Sequence, residues 1–551
     1  MKKIKLIMFT TSLVLALFVS CSGGSSSSRI KPPKLTVPTN GKNPFIIIQN
    51  PGNANQAVDP SSNSSILPVE NYISNLKKEG QKLVLTNPKK EIKFDLKNIA
   101  ARNVSNRFVL NKTETQNEPW DAYLSAYNHD NINTIPADKS KHTFNSESSS
   151  GGTTTAYTTD AVLKAIGQHC YVWYKQKTGI SFPENYDFKD VAEAFDSIYN
   201  KETYIFGSNI PSDTFKNDSD VDDIFIPFPS DTKIHIIIYD LQDDNNQGDT
   251  VEGGYFWSLD MYKNTYLRTK SDANGLYSNE CECIHIDSIE LRDHTEQAYS
   301  TLAHEFQHLL HFVNKTLNSL GYNVSDSWFN EMMSMVCEDI MLSQLGLDPA
   351  HGPQNRLDLF NRTYQYGFTT WYSGNDVLVS YANAYAFGAF LLRNYGIDCI
   401  KEIAHNGYVN ETSVLKAVQN YDNADPISNF TELLQKFYNV MLSPEGNYYS
   451  LNKSVSETYN ISGSDVPFTC SAINLKSYAT ISAQEMTYDV ASKLYNGVAG
   501  RTYYGPVILE NTYYLDIAPK GTCIIHIPQS YSSVSIPGEW SDYLNYYIEL
   551  K

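Results

Sequence analysis

The chain is predicted to be an α+β protein, with a helix-rich middle between two β-rich ends. Three observations predict this. Apolar residues recur at helical spacing in 187–201 and in four further segments between 293 and 441. Ile92, Phe94 and Leu96 alternate with Lys93, Asp95 and Lys97, the period of a half-buried strand. Past residue 450 the apolar runs become short and strand-like. With 551 residues and 41% hydrophobic side chains, the chain divides into several domains and has enough apolar material for a core. A formal charge of −18 repels phosphate backbones, which argues against a nucleic-acid partner.

Taken in order, residues 1–20 read as a signal peptide. Lys2, Lys3 and Lys5 form its basic start and Leu6 to Val19 an apolar stretch too short to span comfortably. Phe18-Val19-Ser20-Cys21 looks like a bacterial lipobox, with Phe18 in place of the usual Leu, so Cys21 is the expected lipidation site. The expected location is therefore export followed by anchoring at the outer membrane or cell surface. Residues 21–68, rich in Ser, Gly, Pro and Asn, read as a flexible tether, and 69–155 as a small β-rich unit that includes a strand over Arg107–Leu110. No apolar stretch after residue 20 approaches 18 residues, so no spanning helix is expected there.

The region 156–445 holds the helices. A helix is expected over Ala161–Trp173 and another over 187–201, then a buried strand over Ile234–Tyr239. Asp293 with Glu296 predicts a capping-box start for a long helix to about Val313. Further helices are expected from Asp326 to Leu342, from Val377 to Arg393 with a stop at Gly396, and from Asp425-Pro426 to Met441. Residues 446–551 read as a separate β-sandwich-like domain, with strands at Val507–Leu509, Tyr513–Ile517 and Cys523–Ile527. Seven cysteines follow Cys21, an odd number that cannot all pair within one chain. The sequence sets no oligomeric state.

The chemistry sits in His304-Glu305-Phe306-Gln307-His308, inside the first long helix. Histidines four apart project from one face, so both imidazoles can reach one ion. Glu305 falls beside that ion, where a bound water would lie; zinc lowers the pKa of such a water toward about 7 and a carboxylate can take its proton. Leu302, Phe306, Leu309 and Val313 form the opposite, apolar face. A third protein ligand is needed. A continuation His-x-x-Gly-x-x-His fails, because His311 and Asn314 stand at its Gly and His. The other arrangement takes a Glu from a later helix, and Glu331 fits: Glu331, Ser334 and Glu338 form one polar stripe on a helix otherwise carrying Met332, Met333, Met335, Val336 and Ile340.

These residues, with Asn330-Glu331 and Glu338-Asp339, resemble the hyicolysin family of zinc metallopeptidases within the thermolysin-like group. Phe195-Asp196 with Ile198-Tyr199, Phe206-Gly207 and Gly253-Gly254-Tyr255-Phe256-Trp257-Ser258 agree with it. The resemblance covers roughly 160–440. It implies a zincin-like catalytic domain within 156–445, one catalytic Zn2+ held by His304, His308 and Glu331, Glu305 as catalytic base, and a protein or peptide substrate. Met332 stands where many relatives carry Gly, and Met335 where thermolysin has the Asp that orients a zinc-bound His. That leaves Ser334, Glu338 or Asp339 to support the ligands.

Weaker signals have blander readings beside them. Tyr381 and Tyr385, one turn apart, are candidates for stabilising an oxyanion, although packing is the favoured role in so Tyr-rich a chain. Cys281, Cys283 and His285 share one face of a strand and are metal-ligand types, but with no partner Cys-x-x-Cys pair an ordinary strand face is expected. Calcium has slight support. Asp218, Asp220 and Asp222 start like a calcium loop but are followed by Asp223 and Pro229 at its Gly and bidentate positions; Asp243, Asn245, Gln247 and Gly248 come closer but end on Gly254. Solvated loops are the favoured reading of both. The expected function is a zinc-dependent endopeptidase acting on extracytoplasmic or host proteins. The alternatives are a surface-exposed, adhesin-like binding lipoprotein with a degenerate peptidase domain, which would need none of the motif, and a solute-binding lipoprotein, which would need alternating β-α units that the β-rich ends do not supply.

Overall fold

The structure is a computed structural model describing residues 34–36, 44–53, 56–58, 123–526 with short gaps, 533–535 and 545–550. The signal peptide, Cys21, the expected strands at 92–97 and 107–110, Asp218, Asp220 and Pro229 of the first calcium-like loop and all of the second but its last two residues lie outside the described residues; Asp222 and Asp223 sit on a short helix. No described helix is long and apolar enough to cross a membrane. The fold is mixed α and β, in two compact units.

One unit joins the two ends of the chain. The segment expected as a tether contains strands β1 (Lys34–Thr36), β2 (Pro44–Gln49) and β3 (Gln56–Val58). The apolar, β-branched run Phe45-Ile46-Ile47-Ile48 suits a strand with partners on both sides, and Ile46, Ile47 and Ile48 are buried between two late strands, Thr522–His526 and Asn545–Leu550.

The other unit carries the site. Its six-stranded sheet runs in the order β4 (Lys141–Ser150), β5 (Thr153–Ile166), β6 (Cys170–Tyr174), β7 (Ile234–Tyr239), β9 (Cys283–Asp287), β8 (Gly254–Tyr255). β6, β7 and β9 are parallel and buried throughout, which matches their near-continuous apolar runs. The helix expected over Ala161–Trp173 is instead the end of β5, a turn, and β6. Thr159, Ala161, Leu163 and Ala165 point inward and Asp160 and Lys164 outward, a period of two. The turn is held by Asp196, whose carboxylate accepts the Gln168 and His169 N–H groups at 2.6 and 2.7 Å. The expected boundary at 155/156 therefore runs through a strand.

Helices cover this sheet's unit: α1 (Lys189–Phe206), the short α2 (Asp213–Lys216), α3 (Val221–Ile224) and α4 (Asn264–Leu267), α5 (Ser288–Asp293), α6 (Thr295–His311), α7 (Ser327–Leu345), α8 (Leu357–Thr363), α9 (Val377–His405), α10 (Asn410–Tyr421) and α11 (Phe430–Leu442). α6 continues as a π-helical turn over Phe312–Leu317. The expected Asp293 cap does not form: Arg292 takes that carboxylate at 2.6 and 2.7 Å, and Asp287 caps α5 instead. α9 breaks at Gly396 as expected, with φ 81°, and then resumes; the Ile397 N–H freed by the break is accepted by Glu457 at 3.1 Å. α11 starts later than Asp425, where Asn429 accepts the Glu432 N–H at 3.1 Å and Glu432 reaches back to Ser428 N–H at 2.7 Å. α10 was not expected.

This unit extends to Ala479 and includes the hairpin β10 (Val455–Ile461) and β11 (Ser464–Cys470). Its two-residue turn, Ser462-Gly463, has φ of 52° and 85°, the left-handed pair that matches strand twist. The late strands β12 (Ala479–Asp489), β13 (Leu494–Tyr504), β14 (Leu515–Ile517), β15 (Thr522–His526), β16 (Ser533–Ser535) and β17 (Asn545–Leu550) do not pair only with one another: β14 pairs β3, β16 pairs β1, and β15 and β17 flank β2. All seven described cysteines are buried.

Candidate metal centre

α6 is set by its apolar face. Leu302, Phe306, Leu309 and Val313 are buried, and the Phe306 ring meets Phe195 edge-on at 5.0 Å and stacks on Tyr199 at 5.3 Å, both from α1. That leaves His304 and His308 on the opposite side, facing α7. Glu331, Ser334 and Glu338 all turn toward α6 rather than to solvent. His304 Nε2 lies 3.1 Å and His308 Nε2 3.6 Å from Glu331 Oε2, and the three donor atoms are within 4.8 Å of one another. A tetrahedral site with bonds of about 2.0–2.1 Å has donors roughly 3.3 Å apart, so the set fits a zinc ion.

The opposite ring nitrogens are fixed from behind. His304 Nδ1 lies 2.6 Å from Glu338 Oε1, whose other oxygen accepts from Ser300 Oγ at 2.9 Å. A carboxylate only accepts, so His304 donates from Nδ1. His308 Nδ1 meets Asn330 Oδ1 at 3.1 Å and Ser334 Oγ at 2.9 Å, and Ser334 donates to Gln307 at 2.5 Å. Both Nε2 atoms are left to point at Glu331. Burial alone would depress the His304 pKa, but Glu331 and Glu338 outweigh it and hold it well above the usual value. Burial would likewise raise Glu331, and the two histidines outweigh it and bring its carboxyl down. Both shifts describe a pocket of alternating charge where a cation can replace the shared proton.

Glu305 is 5% exposed, and its buried Oε2 has no hydrogen-bond partner among the described residues. Burial raises its pKa, partly offset by His304 and His308, which moves it toward the range of a working base. β8 passes close by: a Cβ on Gly254 would stand 2.8 Å from Thr301 Cγ2, 2.9 Å from His285 O and 3.0 Å from Glu305 Cγ, so glycine is what lets this edge strand approach α6.

Other expected residues fall elsewhere. His311 is not in the cluster; its Nε2 meets Ser325 Oγ at 2.7 Å and its ring packs on Phe329. Asp339 does not support a ligand. It pairs with buried Arg393 at 2.7 Å and accepts from Tyr385 at 3.0 Å. Tyr385 is thereby fully buried with its hydroxyl occupied, which removes it from the oxyanion candidates. Tyr381 stacks edge-on against Trp371 at 5.0 Å under the Arg356 guanidinium. Sequence reasoning missed Ser300 and Arg393. Ser300 lies one turn before His304 and was findable from that spacing, whereas Arg393 carries no local signal.

Residues 208–498 match the family model described as Peptidase M30. The neutral metalloprotease ShpI of Staphylococcus hyicus is 26% identical over 285 residues, which cover 51% of this chain and 58% of that protein, so the chain spans under two thirds of this relative. Two crystal structures of the M1 zinc metallopeptidase from Deinococcus radiodurans, native and mutant, align over 53% and 52% of this chain and 59% of theirs, at 12% identity and a TM-score of 0.25.

Proposed function

Because the chain belongs to the Peptidase M30 family, we propose that it is a zinc endopeptidase in which His304, His308 and Glu331 hold the metal and Glu305 moves the proton. The observation that carries this is the convergence of both Nε2 atoms on Glu331 Oε2, beside a carboxylate with a free oxygen. Zinc held there would supply Lewis acidity to the scissile carbonyl and would acidify an attacking water. Glu305 takes that water's proton on its free oxygen and returns it to the leaving amine. Glu338 and Asn330 keep the imidazoles oriented, and no protein nucleophile is required.

The proposal extends to location: an exported lipoprotein anchored through Cys21, supported by the basic start and apolar stretch before it. In that case Cys21→Ala shifts the protein from the detergent to the aqueous phase. The enzymatic reading is tested with an unfolded protein substrate. Cleavage is expected to stop with a zinc chelator and return on adding zinc; cleavage unaffected by full metal removal would overturn it.

A further inference from the structure

A second cluster of metal-ligand side chains lies in the sheet core. Asp260, on the 3-10 turn Ser258–Met261 that follows β8, meets Cys283 and His285 of β9. All three are fully buried, at 0% exposure. Cys283 Sγ and His285 Nε2 each lie 3.2 Å from Asp260 Oδ2, and they are 3.7 Å from each other. With zinc–sulfur bonds of about 2.3 Å and zinc–nitrogen or –oxygen bonds of about 2.0–2.1 Å, a tetrahedron separates sulfur from nitrogen or oxygen by roughly 3.5 Å and nitrogen from oxygen by roughly 3.3 Å. The three donors already stand within a few tenths of an ångström of those edges.

The cluster is also supported as metal sites are. His285 Nδ1 lies 3.2 Å from Tyr239 OH, which bonds Tyr255 OH at 2.8 Å, and the His285 ring stacks flat on Tyr255 at 4.2 Å. Asp260 Oδ1 accepts the Asn279 N–H at 2.9 Å, and Asn279 Nδ2 reaches toward the Cys283 sulfur at 3.9 Å. Tyr239 thus backs His285 and Asn279 backs both Asp260 and Cys283, while Sγ, Nε2 and Oδ2 gather within 3.7 Å of one another. Charge points the same way. In a core that includes Leu124, Phe144, Trp173 and Ile237, Asp260 and His285 form a fully buried ion pair at 3.2 Å, a position where a cation can replace the shared proton. A dication with one carboxylate, one thiolate and a neutral imidazole carries no net charge.

We propose that Asp260, Cys283 and His285 form a second, structural zinc site, separate from the His304–His308–Glu331 centre. The donor set of thiolate, imidazole and carboxylate suits zinc, and full burial suits a closed site rather than a catalytic one. The ion ties the turn after β8 to β9, and so holds the edge strand that lies against Glu305.

The histidine centre contains no sulfur, and this separates the two. Zinc K-edge absorption on the full-length protein, with zinc content measured alongside, is the test. A zinc–sulfur shell at about 2.3 Å is expected in the wild type. It should dominate in the His304→Ala/His308→Ala variant, which keeps one zinc equivalent fewer than wild type. Cys283→Ser should lose the sulfur shell and one equivalent. A wild-type spectrum without sulfur would overturn the proposal, as would loss of all zinc in the double histidine variant or a sulfur shell that survives Cys283→Ser. The first two outcomes decide the matter even if Cys283→Ser does not fold.

Discussion

Two neighbouring acids on α7, Glu338 and Asp339, have unrelated tasks. Glu338 reaches His304 Nδ1, while Asp339 turns the other way to Arg393, Tyr385 and Gln354. Sequence spacing could nominate both but not separate them, because one residue is about 100° of helix and α7 is buried on nearly all sides. Losing the carboxylate behind a ligating histidine typically costs about 10–100-fold in metal affinity. Glu338→Ala is expected to lose that much zinc affinity in a chelator competition, whereas His311→Ala should match wild type. Asp339→Ala should leave zinc affinity within a few-fold but destabilise the fold by about 3–5 kcal/mol in urea, because it strands a buried Arg393. The opposite pattern would exchange the two roles. His304 and His308 could be nominated because residues four apart share one helix face, whereas Glu331 meets them only through the packing of α7 on α6. Asp260 could not, because only the fold brings that turn onto β9.

At the scale of elements, the long helices between 293 and 441 were read from periodicity, as were the start of α7 at Asp326 and the break of α9 at Gly396, but two of the expected caps were not. Asp293 and Asp425 are plausible caps, but Arg292 occupies the first and α11 begins at the Asn429–Glu432 pair instead. β5 was misread as helix because its alternating residues run on through a bulge between Leu163 and Ala165 into a tight turn, which mixes the two periods. Helix packing around the centre leaves a sharper test. A Cβ on Gly388 of α9 would stand 2.5 Å from Val336 Cγ2 and 2.9 Å from Met332 Cγ, both on α7. Gly388→Ala should therefore overpack that contact and destabilise the protein by about 1–3 kcal/mol. A thermal melt at or above the wild-type midpoint would show that α7 and α9 can separate freely.

Across the whole molecule, the two ends of the chain build one unit, and no local pattern announced it. Phe45–Ile48 was visible as an apolar patch, but strand partners more than 470 residues away are set by the fold rather than by spacing. Deleting residues 44–49 removes the strand between β15 and β17 and should open 515–550 to limited proteolysis while 295–345 stays protected. Equal protection of both segments would mean that the late strands hold without β2. The central claim, that a metal held by α6 and α7 works with Glu305 as its proton carrier, is tested most directly by Glu305→Gln, assayed for cleavage and for zinc in the same preparation. The amide leaves His304, His308 and Glu331 in place and removes only the base. Zinc content should equal wild type while cleavage falls by at least about 10²-fold. A variant with wild-type zinc that cleaves at the wild-type rate would contradict the account.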